Sequence, residues 1–311
     1  MKKKVKNSVH LEGYLYESNL QKKISGPNAT NPNVEYITGT ISIATDDDCT
    51  NIVPVHYTYV TATTSTGKTN PAFAVLSNIV DEKYKSVMTD GKENATKFRI
   101  DSSIGLNEFF TDKNGKEELV TVKRNEGGFI HVTDILSEKS YDRNNFECDM
   151  LITGAKLIEA DEEKNIPEKV EVKGAIFDFR GALLPVDFSI SISDGMDYFL
   201  GLEASNQNPV FTNIKGQQVS QTIVRTVVEE SAFGDDYVRE VKTTRKDFVI
   251  TGSAKEPYVW DDEETITAKE LTEKIATRET YLATLKQRND EYKAQKANPV
   301  AAMPSNTDFK F

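Results

Sequence analysis

Val9-His10-Leu11-Glu12-Gly13-Tyr14-Leu15-Tyr16 alternates apolar and polar residues around one central glycine. A period of two is the mark of a strand with one buried face, because successive side chains leave a strand on opposite sides. Glycine inside such a strand marks a bend or bulge, which a tightly coiled barrel needs at its corners. The octapeptide therefore predicts a curved strand with Val9, Leu11 and Leu15 inside a small barrel and His10, Tyr14 and Tyr16 outside it.

The same alternation continues in Thr40-Ile41-Ser42-Ile43 and Phe188-Ser189-Ile190-Ser191-Ile192, and most of the chain to about Gly252 reads as strands broken by Gly, Asn, Asp and Pro. Pro71 to about Lys85 is the one convincing helix of the first half. Phe73, Val75, Leu76, Ile79 and Val80 recur there at helical spacing, with Asn70 as N-cap ahead of Pro71.

The opening pattern recurs as Val170-Glu171-Val172-Lys173-Gly174-Ala175-Ile176-Phe177. Asp149-Met150-Leu151-Ile152-Thr153-Gly154 likewise matches Asp247-Phe248-Val249-Ile250-Thr251-Gly252, and an acidic stretch follows each. This internal repeat predicts a mainly β protein of two tandem barrel modules, residues 1–162 with insertions and residues 168–256. A sandwich fits the alternation equally well, but the lone Trp260 lies outside the strand pattern, so the immunoglobulin signature is missing. Thr267-Ala268-Lys269-Glu270 resembles a capping box and opens a helix over 265–297. Its stripe of Leu271, Ile275, Leu282, Leu285 and Tyr292 is interrupted by Arg278 and Asn289. Packing on the barrels is the expectation and pairing with another chain the alternative. Residues 298–311, with two prolines and no periodicity, read as a flexible tail.

Composition narrows the function classes. With 311 residues, 38% hydrophobic and 28% charged, the chain can fill two cores. Its net charge of −11 argues against indiscriminate coating of phosphates, although local patches and not totals set the field at a groove. No apolar run is long enough for a bilayer and the lysine-rich start leads into no apolar segment, so the expectation is a cytoplasmic protein with no membrane partner. Cys49 and Cys148 form no ligand cluster and read as idle thiols. His10, His56 and His131 have no metal-ligand spacing, Thr66-Gly67-Lys68-Thr69 lacks the upstream glycine of a phosphate loop, and Asp46-Asp47-Asp48 lacks calcium-loop spacing. No enzyme, cofactor or metal is expected.

Binding is the better reading. Tyr14 and Tyr16, with Phe177 and Phe179 in the second copy, are expected to face outward as platforms for stacked bases, and Lys22, Lys23, Arg99 and Arg180 lie near them in sequence for phosphate contacts.

Val9-His10-Leu11-Glu12-Gly13-Tyr14-Leu15, opening a β-rich module beside a basic N-terminus, resembles the first strand of single-stranded DNA-binding proteins of tailed bacteriophages, including the crAss-like group. The resemblance implies OB-fold barrels, sequence-nonspecific binding of single-stranded DNA, and protection of it in replication and recombination, in the host cytoplasm for a phage protein. It also implies that Asp308, Phe309 and Phe311 form a partner-recruiting tip for replication proteins, although one acid replaces the usual acidic run and Lys310 intrudes. A homo-oligomer is compatible with this reading. The alternative is a structural or assembly protein of a virion.

Overall fold

In the computed structural model the described residues are 5–27, 29–113, 115–161, 167–229, 233, 237–260 and 266–297. The tail residues Asp308, Phe309 and Phe311 lie outside them. The strands are β1 (Asn7–Ser18), β2 (Gln21–Ile24), β3 (Glu35–Ala44), β4 (Ile52–Thr61), β5 (Lys97–Lys113), β6 (Lys116–Val132), β7 (Asn144–Ile158), β8 (Lys169–Phe177), β9 (Leu183–Ile190), β10 (Val210–Glu229) and β11 (Tyr237–Ser253). The α-helices are α1 (Pro71–Val80), α2 (Val87–Asp90), α3 (Ser193–Gly201) and α4 (Ala268–Ala297).

Their ladders close into two rings. β1 pairs with β3, β3 with β4, β4 with β6, β6 with β5, and β5 returns to β1. β7 pairs with β8, β8 with β9, β9 with β11, β11 with β10, and β10 returns to β7. In each ring only the third-to-fifth strand pairing, β4–β6 or β9–β11, is parallel. Each ring also carries helix between its third and fourth strands, α1 and α2 in one and α3 in the other. That is the five-stranded Greek-key barrel of the OB-fold, twice over. β1 also pairs with β7 through Asn7–Leu11, which fuses the rings into one eleven-stranded sheet.

The ladders revise the sequence repeat. β7, read as the closing strand of the first module, is the opening strand of the second ring. The expected boundary at 162–168 falls between β7 and β8, which pair with each other. β1 thus corresponds to β7, and β8 to β3. The two glycines that suggested the match solve one steric problem from opposite strands. A Cβ on Gly13 would lie 2.0 Å from the carbonyl oxygen of Ala44, and one on Gly174 would lie 2.0 Å from that of Leu151. At both places the first and second strands of a barrel approach too closely for any side chain.

Val9, Leu11 and Leu15 are buried as the alternation requires, in a core with Ile37, Ile41, Val55 and Phe98. The helix expected to reach Lys85 stops at Val80; Asp81 caps it and α2 follows after a short link. Beside the β1–β7 pairing, a buried amide cluster joins the barrels. Asn125 and Gln218 exchange side-chain hydrogen bonds of 2.7 and 2.9 Å, while Asn51 and Asn144 donate to the Gln218 carbonyl at 3.0 and 2.6 Å.

Helix α4 packs along the β5–β6 hairpin, and the two residues that broke its apolar stripe are its anchors. Arg278 grips Glu108 in a two-pronged pair, with side chains only 13% and 2% exposed. Asn289 donates to Glu117 at 2.7 Å, and Lys286 and Lys293 pair with the same carboxylate at 2.6 and 2.8 Å. The Lys286 and Lys293 ammonium groups hold the Glu117 carboxyl down at about 2. Ile275 and Tyr292, counted in the stripe by sequence, are exposed. No helix among the described residues is long and apolar enough to cross a membrane.

Candidate nucleic-acid interface

An OB barrel takes ligands over its second and third strands, flanked by the loops after its first and fourth strands. In the first barrel that face is β3 and β4, with β2 extending the edge of β3. Ile37, Ile41, Ile43, Val53, Val55 and Tyr57 point into the lumen and are buried. Tyr36, Thr38 and Thr40 therefore point outward from β3.

Simple alternation would send Tyr59 inward with Tyr57. A bulge prevents this: Ile37 opposes Val60 while Gly39 opposes Tyr57, so two steps on β3 face three on β4. The extra residue flips the side-chain parity, and Tyr59 emerges beside Tyr36 with ring centroids 4.5 Å apart and planes tilted by 36°. Gly39 sits at the bulge with φ of +133°, where a Cβ would lie 2.8 Å from the Asn19 carbonyl oxygen. Tyr59 is 44% exposed. Lys23 on β2 stands directly opposite Tyr36 and so shares its face. The result is an uncovered aromatic pair with an exposed cation beside it.

A second patch lies at the other end of β3. Tyr14 is half-buried, opposite Lys97 on one side and Ala44 on the other. The ammonium groups of Lys92 and Lys97 lie 5.3 and 5.8 Å from its ring centroid. His56, on the outer face of β4, is held below the usual histidine range by burial and by Arg124, partly offset by Glu126. Near neutral pH it adds no charge to this surface.

The sequence-derived residues are thus scattered. Tyr14 and Lys23 lie on the two patches. Tyr16 is half-buried at the irregularity between Leu15 and Glu17, apart from both. Lys22 is engaged by Asp81 at 2.6 Å. Arg99 is engaged by Glu12, through contacts of 2.8 and 2.9 Å. Phe177 does leave the barrel lumen as its parity predicts, but it is 0% exposed and offers no open platform. It packs with Leu151, Ala175, Leu183, Phe211 and Ile266 in a second apolar cluster that Tyr258, Trp260 and Leu271 cover. Phe179 is 77% exposed on the turn after β8, with the Arg180 guanidinium 4.9 Å from its ring centroid. Both border a cleft of about 790 Å³ against α4. Tyr36 and Tyr59 were missed in the sequence; Tyr36 followed from alternation, whereas Tyr59 was hidden by the bulge.

Among the described residues no group of His, Cys, Asp and Glu is placed to hold a metal ion. The wild-type single-stranded DNA binding protein from Thermus aquaticus is 9% identical with a TM-score of 0.41, over 81% of this chain and 93% of that one. A deletion mutant of the same protein is 10% identical with a TM-score of 0.41, over 83% and 97%. Among curated proteins none matches the sequence. Residues 6–288 match the YorF family, and the chain belongs to that family.

Proposed function

We propose that this protein binds single-stranded DNA without regard to sequence, along the outer face of its first barrel. The observation that carries the reading is the Tyr36–Tyr59 pair, aimed outward by a bulge on the ligand face of an OB barrel with Lys23 opposite. Aromatic faces accept any base, and cations track the phosphates, so the expected recognition is sequence-tolerant and salt-sensitive. The overall charge of −11 does not by itself oppose this, because local groups and not the total set the field at the face, where Lys23 stands beside the aromatic pair. We place the activity in replication or recombination of the bacteriophage type, with the C-terminal residues Asp308, Phe309 and Phe311 as a recruiting tip, on the strength of the sequence resemblance.

The test is a fluorescence anisotropy titration with labelled oligo-dT. Three phosphate contacts predict a loss of roughly twentyfold in affinity between 50 and 200 mM salt, and Lys23→Ala should flatten the log–log slope by about 0.7. Competition with oligo-U measures the preference for DNA over RNA. No binding at the lower salt would rule the function out.

A further inference from the structure

We propose that only the first barrel takes the nucleic-acid strand, and that the second barrel's counterpart of the Tyr14 patch is filled by the chain's own C-terminal residues. This rests on the single-strand reading above. The shared topology makes β1 equivalent to β7, β5 to β10 and β3 to β8, so individual positions can be compared. Across the outer face of the first barrel runs the triplet Lys97–Tyr14–Ala44. The corresponding triplet of the second barrel is Phe211–Leu151–Ala175. Both end in alanine on the second strand, but one is cationic and aromatic while the other is wholly apolar.

The coverage follows the chemistry. Tyr14 meets solvent and two ammonium groups, of Lys92 and Lys97, which also donate to the Asp47 and Asp134 carbonyls and which a base can displace toward its flanking phosphates. Leu151, Ala175, Phe177, Leu183 and Phe211 are all buried beneath Tyr258, Trp260, Ile266 and Leu271. That cover is fastened by direction-specific bonds. The Tyr258 amide donates to the Phe211 carbonyl at 2.8 Å, its hydroxyl donates to Asp149 at 3.0 Å, and the Trp260 indole donates to the Pro209 carbonyl at 3.2 Å. Phe211 meets the Tyr258 and Trp260 rings at 5.1 and 6.2 Å, the same kind of contact that a base would make. The two lysines of β8 are paired within the barrel: Lys173 with Glu171 at 3.2 Å and Lys169 with Asp247 at 2.9 Å. A strand approaching over Leu151 and Phe211 therefore finds the stacking surface already occupied.

The full-length protein is photo-crosslinked to oligo-dT carrying 5-iodouracil, and the modified peptides are mapped by mass spectrometry. Crosslinks should fall on β1, β3 and β4. In parallel, Tyr14→Ala/Tyr36→Ala should weaken oligo-dT binding by at least about tenfold, the worth of one stacked ring, whereas Phe179→Ala/Arg180→Glu should change it by less than about twofold. Recovery of affinity in Tyr14→Phe/Tyr36→Phe separates lost stacking from lost folding. Crosslinks on β8 to β11, or an equal loss from the Phe179/Arg180 variant, would show that both barrels bind and would overturn the assignment while leaving DNA binding intact. A wild-type protein that binds no oligo-dT would instead remove the single-strand reading, and this proposal with it.

Discussion

Replacing Arg278 by Met strips the Glu108 carboxylate of its two-pronged partner and leaves only a 3.2 Å bond from the Thr121 hydroxyl. With Glu108 2% exposed, the orphaned charge cannot recover its loss from water. Breaking a buried pair on one side costs about 3–5 kcal/mol. Part of that is offset, because the Nε of Arg278 is itself buried without a partner, a penalty of order 1 kcal/mol that leaves with the side chain. A net cost of about 2–4 kcal/mol is therefore expected for seating α4, and Glu108→Leu/Arg278→Met should recover most of it, since an apolar pair carries no desolvated charge. Hydrogen exchange read by mass spectrometry on peptides from 268–297 measures local opening directly. The single variant should speed exchange there by roughly 30- to 700-fold. Exchange within about threefold of wild type, or a double variant that opens as readily as the single one, would refute the idea that this ion pair seats the helix.

Three further outcomes follow from the same kind of argument. Burial alone would raise the Glu12 carboxyl, but the Ser137 amide, His10 and Arg99 outweigh it and hold it at about 2, against an ordinary 4.5. A group depressed on folding stabilises fully above its unfolded value and contributes nothing once pH has fallen through its folded one. Discounted for the half-exposed Arg99, Glu12→Gln should cost roughly 2 kcal/mol at pH 7, and urea melts at stepped pH should show that gap closing between about 4.5 and 2; a gap constant with pH would show that the charge is not its source. Gln218→Leu should cost about 1–3 kcal/mol by leaving the Asn125 amide half-satisfied between the barrels, and a calorimetric midpoint equal to wild type would deny the cluster that role. Gly39→Ala should destabilise by about 1–3 kcal/mol through its backbone conformation, and should weaken oligo-dT binding by displacing Tyr59; unaltered binding in the folded variant would separate the bulge from the site.

Much of this architecture is legible in the sequence wherever the cause is local. The alternation through Val9, Leu11 and Leu15 fixes the lumen face of β1, and Asn70-Pro71 starts α1 where its capping chemistry requires. What escapes is set by distant contacts. Closed barrels are defined by which strands pair, and the parallel β4–β6 and β9–β11 contacts leave no mark in either partner, so β7 reads as an end when it is a beginning. Phe177 has the right parity, yet its cover comes from Tyr258, Trp260, Ile266 and Leu271, far downstream. Arg278 and Asn289 look like faults in an apolar stripe until Glu108 and Glu117 stand opposite them.

The sharing of β1 between both rings bears on the order in which the protein can assemble. Its C-terminal half meets β3 within a few tens of residues, but Asn7 through Leu11 find their β7 partners only at Asn144–Cys148. At roughly 5–20 residues per second of synthesis, those first residues leave the ribosome several seconds to half a minute before their complement exists. During that interval a strand edge carrying Val9 and Leu11 is open to mispairing. Slowing translation between residues 20 and 140 should therefore lower the yield of soluble protein more than the same delay placed after residue 160.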